Sequence, residues 1–319
     1  MSGQLNGHGG GDEFTIMRRS DDPLPVVAPT GLAVARDLLG DLLAGLDDPH
    51  AFLPLERHVG RCRVCGDTRE LTFEHVPPAS AGNTRRARGT SSWTAATSPD
   101  PLAFPSSGWV SSQRGVGGYV FCGPCNHTLG RRVVPAYGEL ARTVTDALAG
   151  QAQQVGHLPG TIDLQLGGWP LGAVARAGLA AVMAVGVHDR LLRRHPELSD
   201  LLLGHLGRLP RGLRLGLTVV VGGRARMSAP VCSASPAGCT VFAEAALQPF
   251  AWTLSFEVPP LRPLSRSADV SHWLQHDCDA VVAEESLAAP VGFLDSPLPG
   301  DFRPASDIKA DMPPAGAAI

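Results

Sequence analysis

Apolar positions recur at Leu32, Ala35, Leu38, Leu39, Leu42, Leu43 and Leu46, a one-faced helical pattern over residues 30–46. Thr30 is placed to cap that helix, and Pro49 stands beyond its end. Helical character returns over 135–149 and 172–194, and Pro196 opens a further helix that runs to about Leu206. The apolar runs at 213–221, 240–247, 251–258 and 280–283 predict strands, with Pro259-Pro260 as a sharp stop. The pattern as a whole predicts an α+β protein.

Texture divides the chain further. Residues 1–28 read as a flexible leader and 29–56 as the N-terminal helix. A Cys-, His- and Arg-rich module follows at 57–150, interrupted by a Ser/Gly/Pro-rich loop over 89–118. A helix-plus-antiparallel-sheet domain is expected over 151–300, with a flexible tail at 301–319. At 319 residues, 44% hydrophobic and 18% charged, the chain is long and apolar enough to bury a core. The most apolar stretch, 177–187, is too short to span a bilayer, and the Gly-rich start carries no secretory signal. Together these features predict a cytoplasmic protein with no membrane partner.

Cysteine spacing supplies the first chemistry. Cys62-x2-Cys65 and Cys122-x2-Cys125 are two pairs separated by 56 residues. Two intervening residues let both thiolates of a pair reach one tetrahedral ion from a tight turn. In a reducing compartment such pairs hold metal more often than they form disulfides, so the expected cofactor is one structural Zn²⁺. The second pair also spells Cys122-Gly123-Pro124-Cys125, which reads as a thiol redox turn at a helix start. The first pair favours zinc, because a redox dithiol has no need of it.

Between the pairs stands Glu74-His75-Val76-Pro77-Pro78, and Asn126 follows Cys125 directly. In order, these motifs resemble the HNH endonuclease family, in the branch with CxxC, an acid-His-x-x-Pro segment and CxxCN. The resemblance covers roughly residues 60–140. It implies a zinc-stapled treble clef of ββα-metal type, in which a hairpin delivers the acid-His pair. It also implies DNA as substrate, His75 as general base, and Glu74 as ligand of a catalytic Mg²⁺ or Mn²⁺. Asn126 would hold the hairpin by hydrogen bonds. A neutral imidazole can take a proton near pH 7, and a hard carboxylate suits a hard cation.

Charge changes the picture locally. The chain carries −3 in total, but within 57–132 ten arginines stand against four acids, a net of +6. Arg85, Arg86, Arg88, Arg131 and Arg132 are the expected contacts to phosphate. One departure counts against catalysis. The family places a further ligand eight or nine residues beyond the Asn, and here those positions are Val134 and Pro135. His127, Glu139 and Asp146 are the substitutes within reach. A catalytically degenerate zinc module that binds nucleic acid or a protein is therefore the alternative expectation.

Other groups carry weaker signals. His272 and His276 would share a helix face as metal ligands, Cys232 and Cys239 flank a turn, and Trp93 and Trp109 stand in the long loop. The second half shows no recognisable site, and selecting a substrate, self-association or binding a protein partner are all compatible with it.

Overall fold

The computed structural model describes residues 53–90, 100, 102, 109–112, 114–155, 160–235, 238–256 and 267–310. The leader and the helix expected over 30–46 lie outside the described residues. β1 (Val59–Arg61), β2 (Thr68–His75) and β5 (Gly117–Cys122) form an antiparallel sheet in the order β1-β2-β5. Two short strands, β3 (Ala87–Thr90) and β4 (Trp109–Ser112), pair into a separate ribbon between β2 and β5 in sequence. Part of the stretch expected as a loop is thus strand.

β5 runs directly into helix α1 (Gly123–Arg132), with Pro124 in the first turn, where an amide hydrogen has no intrahelical partner to lose. After Val133 the chain enters α2 (Val134–Val155). The boundary expected at 150/151 therefore falls inside a helix.

The second half contains β6 (Thr161–Gln165), α3 (Leu171–Val182), a π-helical turn (Met183–Val187), α4 (His188–Arg194) and α5 (Glu197–Leu202). The single helix expected over 172–194 is divided by that π turn. Next come β7 (Leu213–Val221), β8 (Ala225–Ser235), β9 (Gly238–Leu247), β10 (Phe250–Phe256), β11 (Ala268–Asp269) and β12 (Ser286–Phe293). The chain's last described element is α6 (Ala305–Ala310). The main path of the sheet runs β6-β12-β7-β10-β9-β8, with β11 also on β7. It is mixed rather than antiparallel, because β12 lies parallel to β7. None of the described helices is long and apolar enough to cross a membrane.

The strand expected at 280–283 is not one: Val282 makes an isolated bridge to Trp169, and the strand begins at Ser286. Pro290 hides β12 from a pattern reading. It is accommodated where the strand leaves its pairing with β6 and joins β7. The expected tail is packed through residue 310, since Phe302 and Ile308 are both buried.

Helix α3 is the centre of the molecule. All twelve of its residues are buried, as an apolar-all-round helix requires. It packs against α2 on one side and against β9 and β10 on another. A methyl group on Gly178 would sit 2.2 Å from the Trp252 ring, so glycine is needed for that approach. Trp252 Nε1 in turn donates to the Tyr137 hydroxyl of α2 at 3.3 Å. One continuous cluster of buried side chains accordingly runs from Cys62 to Val291, joining the two halves.

Arg176, the one charged residue of α3, is fully buried. Its guanidinium donates to the carbonyls of Gly172, Leu201, His205, Leu274 and His276 at 2.8–3.1 Å, joining three segments of the chain. Five donors meet five acceptors, the full capacity of the group. Replacing Arg176 by Ala would strand those carbonyls away from water. We expect Arg176→Ala to lower the unfolding free energy by about 3–5 kcal/mol in urea titration, with no recovery in Arg176→Lys, whose three donors lack the fork.

Candidate metal centre and the adjoining acid-histidine cleft

Cys62 and Cys65 lie in the turn between β1 and β2. Gly66 closes that turn with φ +76°, a left-handed conformation that favours glycine, and its amide donates to Cys62 O at 2.9 Å. Cys122 ends β5 and Cys125 lies in the first turn of α1. The four sulfur atoms all fall within 4.8 Å of one another, and Cys65 and Cys122 are 3.9 Å apart. A tetrahedral ion with metal–sulfur bonds of about 2.3 Å needs sulfur–sulfur edges of about 3.8 Å. The cluster therefore fits a single metal ion such as zinc. Among the described residues it is the one group of three or more metal-ligating side chains.

The electrostatics point the same way. The Cys125 thiol donates to Cys62 and, helped by the backbone amides around it, brings the Cys62 thiol down to about 5 against the penalty of burial. Two of those amides lie 3.2 Å (Cys122) and 3.5 Å (Val64) from the Cys62 sulfur. Burial pushes Cys65 up to about 11. Cys125 is raised further, first by giving its hydrogen to Cys62 and then by burial. Such a cluster holds one negative charge easily and resists more, unless a cation is shared among the sulfurs. Cys122 and Cys125 are only 1% and 5% exposed, which suits a metal cage better than thiol exchange.

Beside this clamp, α1 is tied to β2. Asn126 Nδ2 donates to Phe73 O at 3.2 Å and to Thr72 Oγ1 at 3.0 Å, and the Thr72 hydroxyl donates to Phe121 O at 2.8 Å. These bonds cluster at the bulge between Thr72 and Phe73. Glu74 and His75 follow at the end of β2, opposite Gly118 and Gly117. The His75 ring meets Phe73 edge-on at 5.2 Å.

Asn83, a residue that sequence reasoning passes over, pins the segment beyond His75. Its buried side-chain amide donates to Pro77 O and Val116 O, each at 2.7 Å, and its Oδ1 accepts from Val116 N at 2.8 Å. Arg63, between the first two cysteines, was likewise missed: it is buried and donates to Ala184 O in the π turn that follows α3. An asparagine in a Gly-Asn-Thr turn and an arginine in a Cys-x2-Cys loop both read as surface residues, so the sequence holds no signal for either.

Glu74 and His75 open on a narrow cleft. Its opposite walls are Leu129, Val133 and Val134 from the α1–α2 corner, and Ala177, Ala180, Ala181 and Ala184 from the central helix and the π turn that follows it. The cleft holds about 10 Å³, room for roughly one water molecule. Burial in this apolar setting pushes the Glu74 carboxyl up to about 7, although a hydrogen bond from Asn126 opposes the shift. Val134 lines the cleft, and Pro135, His127, Glu139 and Asp146 are exposed and do not. Glu74 and His75 are thus the two side chains of the cleft wall that could touch a divalent ion.

The basic residues separate into two groups. Arg85, Arg86, Arg88 and Arg131 are exposed. Arg132, expected to contact phosphate, is instead held by the second half: it donates to Leu203 O at 3.3 Å and lies 3.6 and 3.9 Å from Asp277 and Asp279. His272 bonds to Glu285 at 3.0 Å from a 3-10 turn, and neither it nor His276 belongs to a metal-ligating group. Cys232 and Cys239 sit on the paired strands β8 and β9, where they are not directly opposed. Trp93 lies outside the described residues.

Two measurements check this site. Elemental analysis should find one zinc per chain, and Cys62→Ser should abolish it and lower the melting temperature by at least about 10 °C, since a structural ion contributes to folding directly. The raised Glu74 pKa has a defined sign: the folded state keeps a proton that the unfolded state loses, so stability should fall as pH rises from about 4.5 to 7 and then level off. Glu74→Gln should flatten that window, by on the order of 2 kcal/mol in denaturant titrations across it. No family model, curated protein or solved structure matches the chain.

Proposed function

We propose that the chain carries a zinc-stapled module of treble-clef, HNH-like type that binds nucleic acid without hydrolysing it. The four thiolates hold a structural Zn²⁺ that joins the β1–β2 turn to the start of α1. The observation that supports loss of hydrolysis is the wall facing Glu74. Where a second ligand would be needed there stand Val133, Val134 and four alanines, with space for about one water. A hard divalent cation needs several oxygen ligands and keeps its waters reluctantly exchanged, and one carboxylate that favours its proton near pH 7 does not meet that need. The local excess of arginine supports nucleic acid as the ligand.

A specific observation favours a second reading, a metal-dependent nuclease with His75 as general base and Glu74 as ligand of Mg²⁺ or Mn²⁺. The acid, the histidine and the asparagine are all retained, and Asn126 holds the strand that carries the other two. Incubation with plasmid DNA and Mg²⁺ or Mn²⁺ decides between them. We expect salt-sensitive binding with no metal-dependent nicking, and nicking that appears in Val134→Asp, which would place a second carboxylate in the cleft. Nicking by the unaltered chain that disappears in His75→Ala would overturn the binding-only reading and establish the nuclease.

A further inference from the structure

We propose that the β3–β4 ribbon is a phosphate-contacting arm for a DNA duplex, a role that rests on nucleic acid being the ligand of this module. Arg85, Arg86, Arg88 and Arg114 are all exposed on the ribbon or at its base. No Asp or Glu occurs in residues 79–90 or 109–116 and one, Asp100, stands between them, so residues 79–116 hold four arginines against one acid. Arg86 and Arg88 are two apart and fall on one face of the extended chain, and Arg88 pairs across the ribbon with Ser111. Arg86 Nε also reaches Ser111 Oγ at 3.5 Å.

The ribbon is fixed relative to the acid-histidine strand. Asn83, two residues before Arg85, joins Val116, two residues after Arg114, through both of its backbone groups. Val116 O accepts the amide of Val76, and the next residue, Gly117, pairs with His75. Three residues of extended chain from Arg114 to Gly117 span at most about 11 Å. The arm therefore stands at a set distance from the cleft instead of swinging free. Arg132 cannot share its work, being engaged by Asp277, Asp279 and Leu203 O.

A two-stranded antiparallel ribbon is one of the few element shapes that the major groove of a duplex admits, and guanidinium groups suit its phosphates. That shape, together with the arginines, selects duplex DNA as the ligand.

The test uses the full chain and a fluorescently labelled DNA duplex, by anisotropy without divalent metal, between about 50 and 200 mM salt. The triple variant Arg85→Ser/Arg86→Ser/Arg88→Ser should bind at least about tenfold more weakly at the low-salt end and lose about 2–3 from the log–log salt slope, one phosphate contact contributing about 0.9. Zinc content equal to that of the unaltered chain confirms that the variant folds, and the triple Arg→Lys variant should regain most of the slope. Salt-sensitive binding by the unaltered chain with no change in the Ser variant would overturn the arm alone. A loss confined to single-stranded DNA would overturn the duplex assignment. No binding by the unaltered chain would overturn the parent reading as well.

Discussion

Four sulfur atoms bring together two turns that are about sixty residues apart, and the order of everything around them follows from that meeting. The first turn ends β1 and begins β2; the second ends β5 and begins α1. Holding both fixes the helix across the hairpin, and Asn126 can then reach Phe73 and Thr72. The small three-stranded sheet has little apolar surface of its own. A shared cation would supply there the constraint that a larger core supplies elsewhere.

The second constraint is the central helix. Its alanines and glycines allow close approach on several sides at once: Trp252 against Gly178, α2 along one flank, and the Glu74 cleft along another. The same lack of bulk explains why the cleft is apolar and small, since the wall is methyl groups with no ligand among them. Arg63 and Arg132 reinforce the junction from the Cys-rich side, one through Ala184 O and the other through Leu203 O and two aspartates. Both bonds tie a guanidinium from the Cys-rich half to the other half, so the two halves make one body.

What could be read from the residues and what could not follows the range of the forces involved. Cysteine spacing is a local signal with a fixed geometric meaning, and the four thiols meet as that spacing implies. Long β-branched and leucine-rich runs also announce themselves, and β7 occupies residues 213–221 as the pattern indicates. β8 is rich in Ala and Ser, β6 has only Ile162 and Leu164 buried, and β12 contains Pro290, so none shows as a run. Their strand state comes from neighbours in the sheet. The same holds for the site. Glu74, His75 and Asn126 could be picked out by motif, whereas the roles of Asn83, Arg63 and Arg132 depend on Val116, Ala184 and Leu203, which are 33, 121 and 71 residues away. Which side chains face Glu74 was partly foreseeable at Val134, but the alanine wall was not.

The helix that divides the expected domains also decides what a fragment of this protein would be. Residues 57–150 carry the four-cysteine cluster, the acid-histidine strand and most of α2, and on sequence texture alone they look separable. Cut there, Tyr137 would lose the packing it makes against Phe250 and Trp252, and the alanines of the cleft wall would go with them. The excised piece would present a greasy face to water and stick to itself, so the Cys-rich region has to be handled together with the half that covers it.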